Sequence, residues 1–245
     1  KTARKRSVEI HCDDAAAAKL PEASLAGVFT DPPYYGNVQY AELMDFCYVW
    51  LRRLLGNDAD FFRNASTRNP RELTGNIDMG RGLEHFSAGL SAVFREMAKA
   101  LKPGAPLAFT YHHNTLDAYL PVAAAILDAG LTCSASLPCP AEMGASIHIN
   151  GTGSSIIDTV FVCRSTGVVS RKTLPSAPAG VAALVRADLA ELRKGNVKPS
   201  LGDTRCIAYG HLVRLAIWNL RSAWKETDAT AKKLAAVSNW LHTFG

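Results

Sequence analysis

The chain has 245 residues, 48% hydrophobic and 20% charged, enough to bury the core of one medium domain with an appendage. No apolar run approaches the ~20 residues of a membrane helix, and the start lacks the apolar centre of a signal peptide, so the expectation is a cytoplasmic protein. The net charge of +5 is uneven: residues 168 to 245 hold 12 Lys and Arg against 5 Asp and Glu, net +7, leaving −2 for residues 1 to 167. A basic tail suits phosphate contacts, and a solvated helical surface equally well.

In chain order, Val28 to Thr30 read as a short apolar strand that runs straight into Asp31-Pro32-Pro33-Tyr34-Tyr35. Proline has a fixed φ and no N–H, so this pair stops the strand and leaves rigid carbonyl acceptors beside a carboxylate and an aromatic ring. Such a set fits an exocyclic amine of a nucleobase, whose lone pair is delocalised into the ring. If both N–H groups donate, to Asp31 and to the Pro32 carbonyl, the nitrogen moves toward tetrahedral geometry and can attack a methyl group held in line. Pro33 shapes the loop, and Tyr34 would stack on a base flipped out of its duplex. The bland alternative is a strand followed by a Pro-rich turn.

Leu43, Phe46, Trp50 and Leu54 predict an amphipathic helix over 38 to 55, closed by Gly56. Residues 57 to 82 read as a long loop, functional or merely connecting, with Arg63, Arg68, Arg71 and Arg81 as candidate DNA contacts. A second helix, marked by Phe86, Leu90, Val93, Phe94, Met97 and Leu101, ends at Lys102-Pro103-Gly104. A buried strand over 107 to 111 leads to His112 and His113, which could contact base, cofactor or phosphate, or serve as capping or solvent histidines. Asn37 could donate to a base edge or simply make a turn.

A helix over 116 to 129 follows, stopped by Gly130, and then Leu131 to Leu137 and Ile156 to Val162 as an antiparallel strand pair. The Gly-, Ser- and Thr-rich stretch from 144 to 155 reads as a pocket wall or a hairpin loop. The division expected is a catalytic segment 1–167, a linker 168–180 and a basic helical extension 181–245, helical over 181 to 193, 204 to 223 and 229 to 242. Six cysteines without a Cys-x-x-Cys pair argue against a zinc ribbon, and no carboxylate or cysteine at ligand spacing joins the two histidines, so no metal is expected.

The run from Thr30 to Phe46, with Tyr48-Val49-Trp50-Leu51-Arg52-Arg53, Leu101 to Gly104, Phe109 to His113 and Ile147 to Arg164, resembles the DUF1156-type adenine-specific DNA methylases. The resemblance is specific around Asp31 and covers the first two thirds of the chain. It implies the later strands of a Rossmann-like S-adenosylmethionine-dependent methyltransferase sheet, with an α-helical C-terminal extension. It further implies methylation of adenine N6, or cytosine N4, in DNA, in the setting of restriction or phage defence. Asp31, Pro32, Pro33 and Tyr34 would be catalytic, Asp31 would also face the cofactor, and Tyr34, Tyr35, Asn37, His112 and His113 would line the substrate side.

The chain departs from that family in lacking a Gly-rich cofactor turn ahead of a helix. Gly80-Arg81-Gly82 and Gly151-Thr152-Gly153 have the wrong context. In the family the Gly-rich motif comes first, so the expectation is a later part of a longer enzyme, completed by an N-terminal segment or a partner chain. Val8 to Asp14 then reads as the third strand of that sheet, with Asp13 or Asp14 on the cofactor's adenine amine, or else as an Asx pair capping the next turn. The rival functions are methylation of an RNA base or a protein glutamine, and a non-catalytic nucleic-acid-binding segment.

Overall fold

The computed structural model describes residues 7–56, 60–141, 155–165 and 178–244. It is an α/β fold: a four-stranded mixed open sheet in the order β1-β2-β4-β3, with helices packed against it. β1 is Val28–Thr30, β2 Leu107–Tyr111, β3 Leu131–Pro140 and β4 Ile157–Ser165. β1 and β2 run parallel, and β4 lies antiparallel to both β2 and β3, with a bulge in β3 between Cys133 and Ala135. The expected antiparallel closing pair is present. Most of the 144–155 stretch, the Gly151-Thr152-Gly153 run and the linker up to residue 177 lie outside the described residues.

β1 and β2 are parallel, so a crossover must join them. It contains α1 (Tyr40–Leu55), a loop with two short 3-10 turns, and α2 (Leu83–Ala100). Gly56 ends α1 with φ near 80°, a left-handed conformation that an L side chain would strain. α2 buries Phe86, Leu90 and Phe94, as its spacing predicts. A 3-10 turn over Leu116–Tyr119 leads into α3 (Leu120–Asp128). Every residue of α3 is buried, because neighbours cover it on several sides: α2, β3 and the last two helices of the chain.

Those C-terminal helices are α4 (Pro178–Lys194), α5 (Leu201–Leu220) and α6 (Thr230–Phe244). Val213, Ala216 and Ile217 of α5, with Leu234, Val237 and Leu241 of α6, share one core with Phe86, Phe109, Ile126 and Phe161. Helices that begin as a basic appendage in the sequence are therefore built onto the same core as the sheet. Two of their cations are spent inside the protein. Arg221 donates to the carbonyls of Ile126, Leu127 and Leu131, and Lys233 is buried against Asp128. No described helix is long and apolar enough to cross a membrane.

Asp203 fastens α5 to the start of β4. Its Oδ1 accepts from the Ser155 hydroxyl (2.7 Å) and the Ile156 N–H (2.8 Å), while Oδ2 accepts from Ser200 N–H (2.6 Å) in a capping box. Burial raises its pKa, but the hydrogen bonds from Ser200, Ser155 and Ile156 outweigh that, and the carboxyl is held below its ordinary value. A lowered carboxylate contributes stability above the unfolded value, and that stability disappears as pH falls through the folded one. Urea titrations between about pH 5 and pH 2 should show wild-type stability falling more steeply than that of Asp203→Asn. Parallel slopes would remove Asp203 from the acid response.

Candidate functional site

Strand register assembles the site. Thr30 pairs with Phe109, so the next residue of each strand, Asp31 and Thr110, stand side by side at the carboxyl ends of β1 and β2. The Thr110 hydroxyl donates to Asp31 Oδ1 in a short hydrogen bond, and the Tyr34 hydroxyl donates to the same oxygen at 2.9 Å. Asp31 Oδ2 accepts nothing among the described residues. The carboxylate is exposed to solvent, while Pro32 behind it is buried. One oxygen is thus anchored by two hydroxyls and the other is presented outward.

Tyr34 is half-buried, its ring tilted 56° to Tyr111 at a centroid distance of 5.2 Å. Burial, with the charges of Asp158 and Asp31 adding to it, pushes the phenol well above its usual range, so it remains a donor. Its single proton goes to Asp31. Asp158 Oδ2, at 3.5 Å, is the more distant neighbour.

Asp158 comes from β4, and register again explains its place. Tyr111 pairs with Thr159, so His112 and Asp158 face each other one step beyond. His112 Nδ1 lies 3.0 Å from the Ile157 carbonyl, which makes Nδ1 the protonated nitrogen, and 3.9 Å from Asp158 Oδ1. Asp31, Thr110, Tyr34, Asp158 and His112 therefore form one polar cluster along the ends of three strands.

The other expected substrate residues are engaged structurally. Tyr35 donates its N–H to the Tyr111 hydroxyl (3.2 Å) and sets its ring edge-on to Phe86 (5.4 Å), an anchor in the core. Asn37 closes the turn, its N–H to Tyr34 O (3.3 Å) and its side-chain amide to His112 O (3.4 Å). His113 caps the turn before Leu116, accepting the Thr115 N–H on Nδ1 at 3.0 Å. Burial lowers its pKa, which favours the neutral ring that can accept. Gly75 crosses over this turn so closely that a Cβ there would lie 2.5 Å from Gly36 N.

One expectation needs correction. Val8 to Asp14 form no strand: Val8 and Ile10 are 86% and 92% exposed, and among the described residues no strand pairs with them or with the outer edge of β1. Asp14 instead makes an Asx turn to Ala16 N–H (3.0 Å) and an ion pair with Arg71 (2.7 Å), which occupies both carboxylate oxygens. Asp13 is exposed, 4.0 Å from His11. Asp14 thus follows the turn-capping alternative.

The loop arginines are likewise paired within the chain. Arg63 meets Asp60, Arg68 meets Glu42 at 3.7 Å, and Arg71 meets Asp14. Arg81 is buried against Glu72 (3.3 Å) and the Asn69 carbonyl (3.0 Å), where it clips the loop together. Two surface hollows, of about 430 and 380 Å³, lie along α1. Sequence reasoning missed Thr110 and Asp158. Thr110 is a hydroxyl within the apolar run of β2, and Asp158 is a carboxylate just ahead of the apolar run Val160 to Cys163 of β4, which is the signal that could have found them. Comparison with protein-family models, curated proteins and solved structures gives no match to this chain.

Proposed function

We propose that this chain carries the amine-holding site of an S-adenosylmethionine-dependent methyltransferase that acts on adenine N6, or cytosine N4, in DNA. The observation that carries the reading is the Asp31 carboxylate, fixed through Oδ1 and open at Oδ2, at the carboxyl end of a strand beside the rigid Pro32-Pro33 turn. Ligands of open α/β sheets bind at that end. The strand order β1-β2-β4-β3, with one antiparallel strand between two that run in the same sense, agrees with the later strands of a Rossmann-like methyltransferase sheet.

One amine N–H donates to Asp31 Oδ2 and the other to the Pro32 carbonyl. The nitrogen leaves the ring plane and its lone pair becomes available for a new C–N bond. Its proton departs to solvent once the nitrogen is cationic, so no high-pKa base is required. Tyr34 offers its half-exposed ring to the base while its hydroxyl steadies the carboxylate. S-adenosylmethionine would supply the methyl group, its CH₃–S bond breaking as the C–N bond forms and S-adenosylhomocysteine leaving as the neutral thioether; we assign its cradle to a further segment or partner chain. The basic C-terminal helices supply the phosphate contacts.

Two experiments bear on this reading. Supplied with the segment or partner chain that completes its cofactor site and offered duplex DNA, RNA and a glutamine-containing peptide with labelled cofactor, the protein should methylate DNA; transfer confined to RNA or peptide would overturn the substrate assignment. Tyr34→Phe keeps the ring but removes one of the two anchors on Asp31. It should lower kcat roughly ten- to a hundredfold with KM for DNA little changed. A change in KM alone would leave Tyr34 as a binding contact only.

A further inference from the structure

Leu43, Cys47, Trp50 and Leu54 follow one another on α1 at steps of four, three and four residues, the spacing of a seam between two packed helices. The structure turns this stripe away from the body. Leu43 is 60% exposed and Leu54 80%, while the opposite side of the helix buries Ala41 and Tyr48 and ties Asp45 to Thr67. Phe46, 72% exposed, widens the stripe. An apolar face of this extent costs about 25 cal/mol for each Å² left in water, and contiguous patches of this kind mark interaction sites.

The charges along the helix select the occupant. Glu42 lies in the first turn and Arg53 in the last. At 3.6 residues per turn, eleven residues bring them within about 20° of each other, on the same flank of the stripe. When two copies of one helix pack antiparallel about a two-fold axis, like flanks meet and the first turn of each faces the last turn of the other. Glu42 then comes opposite Arg53 of the second copy, Leu43 opposite Leu54, and Cys47 opposite Trp50. A parallel pair would set Glu42 against Glu42 and align the helix dipoles unfavourably. Among the described residues Glu42 reaches to Arg68 at 3.7 Å and Arg53 rests over the Trp50 ring, and both residues are exposed.

We propose that two copies of this chain associate through α1, packed antiparallel, with the Leu43–Leu54 stripe as the apolar contact and Glu42 and Arg53 as its reciprocal ion pairs. The apolar hollow beside the stripe, between α1 and the 67–72 loop, extends the contact beyond a single helix face. The association does not depend on the methyltransferase reading.

Sedimentation equilibrium from roughly 1 to 100 μM, the range in which contacts of one helix face dissociate, should show a monomer–dimer equilibrium. Leu43→Glu with Leu54→Glu should sediment as a monomer with an unchanged circular dichroism spectrum, since both side chains point to solvent. Glu42→Arg alone should weaken the dimer, and adding Arg53→Glu should restore it. Three results would overturn the proposal. One is a monomer at every concentration, which leaves the face to a different polypeptide. Another is a dimer indifferent to the Leu substitutions, pointing to another surface such as the free edge of β1 at Phe29. The last is a charge-reversed pair that fails to recover.

Discussion

Asp31→Ala should lose methyl transfer by about a hundred- to a thousandfold while DNA binding stays within a few-fold of wild type. On the proposed reading the substitution removes the acceptor for the amine as it becomes a nucleophile, and it touches none of the cationic surface. Asp31→Asn should be as damaging, although it keeps the shape. The Thr110 and Tyr34 hydroxyls both donate, so they will hold the asparagine carbonyl in the place of Oδ1 and turn its NH₂ toward the substrate amine, donor against donor. Steady-state transfer with labelled cofactor, beside a filter-binding isotherm, checks both variants. Near-normal turnover of Asp31→Asn would mean that Oδ2 is not the acceptor.

Asp128→Ala should destabilise the fold by about 3–5 kcal/mol, the cost of leaving a buried cation without its partner. Asp128, at the end of α3, accepts from Lys233 Nζ (2.8 Å), Arg95 (3.1 Å) and Trp224 Nε1 (2.9 Å), and Lys233 is itself buried. One carboxylate thus joins α2, α3, α6 and the turn after α5. Removing Lys233 as well, in Asp128→Asn with Lys233→Met, should recover part of the loss, because no bare charge is then enclosed. Urea unfolding of the three proteins reads this directly. A single-variant loss below about 1 kcal/mol would show that the ion pair is solvated and the helices only loosely attached.

Much of the fold was legible because its signals are local. The apolar periods of α2 and α5, the Lys102-Pro103-Gly104 stop and the runs at β2 and β4 each depend on neighbours within one element, and the structure places them within a few residues of expectation. The free edge and exposed start were not legible. Val8-Glu9-Ile10 alternates like a strand, but a strand exists only where a partner offers its hydrogen bonds, and none of the described residues does. α1 misleads in another way: its apolar stripe marks a buried face in the sequence and a solvent face here, since periodicity gives the width of a face and not what covers it.

The same division holds at the site. Asp31 to Tyr34 could be read directly, since the motif is contiguous. Thr110 and Asp158 join it only through register, across 79 and 127 residues of chain, and no local pattern reports register. Tyr35, Asn37 and His113 show the converse. Each stands beside a candidate residue in sequence, and the structure uses a polar group of each in a turn, a cap or a core contact.

The most direct test of the amine-holding site is to identify the methylated nucleoside. Wild-type protein, together with any segment or partner chain that completes its cofactor site, would be incubated with S-adenosylmethionine and duplex DNA. The DNA would then be digested to nucleosides and separated by mass-resolved chromatography. The account predicts N6-methyladenine or N4-methylcytosine, absent when Asp31→Ala replaces the wild type. Methyl on a ring carbon, or the same amine product from Asp31→Ala, would contradict it.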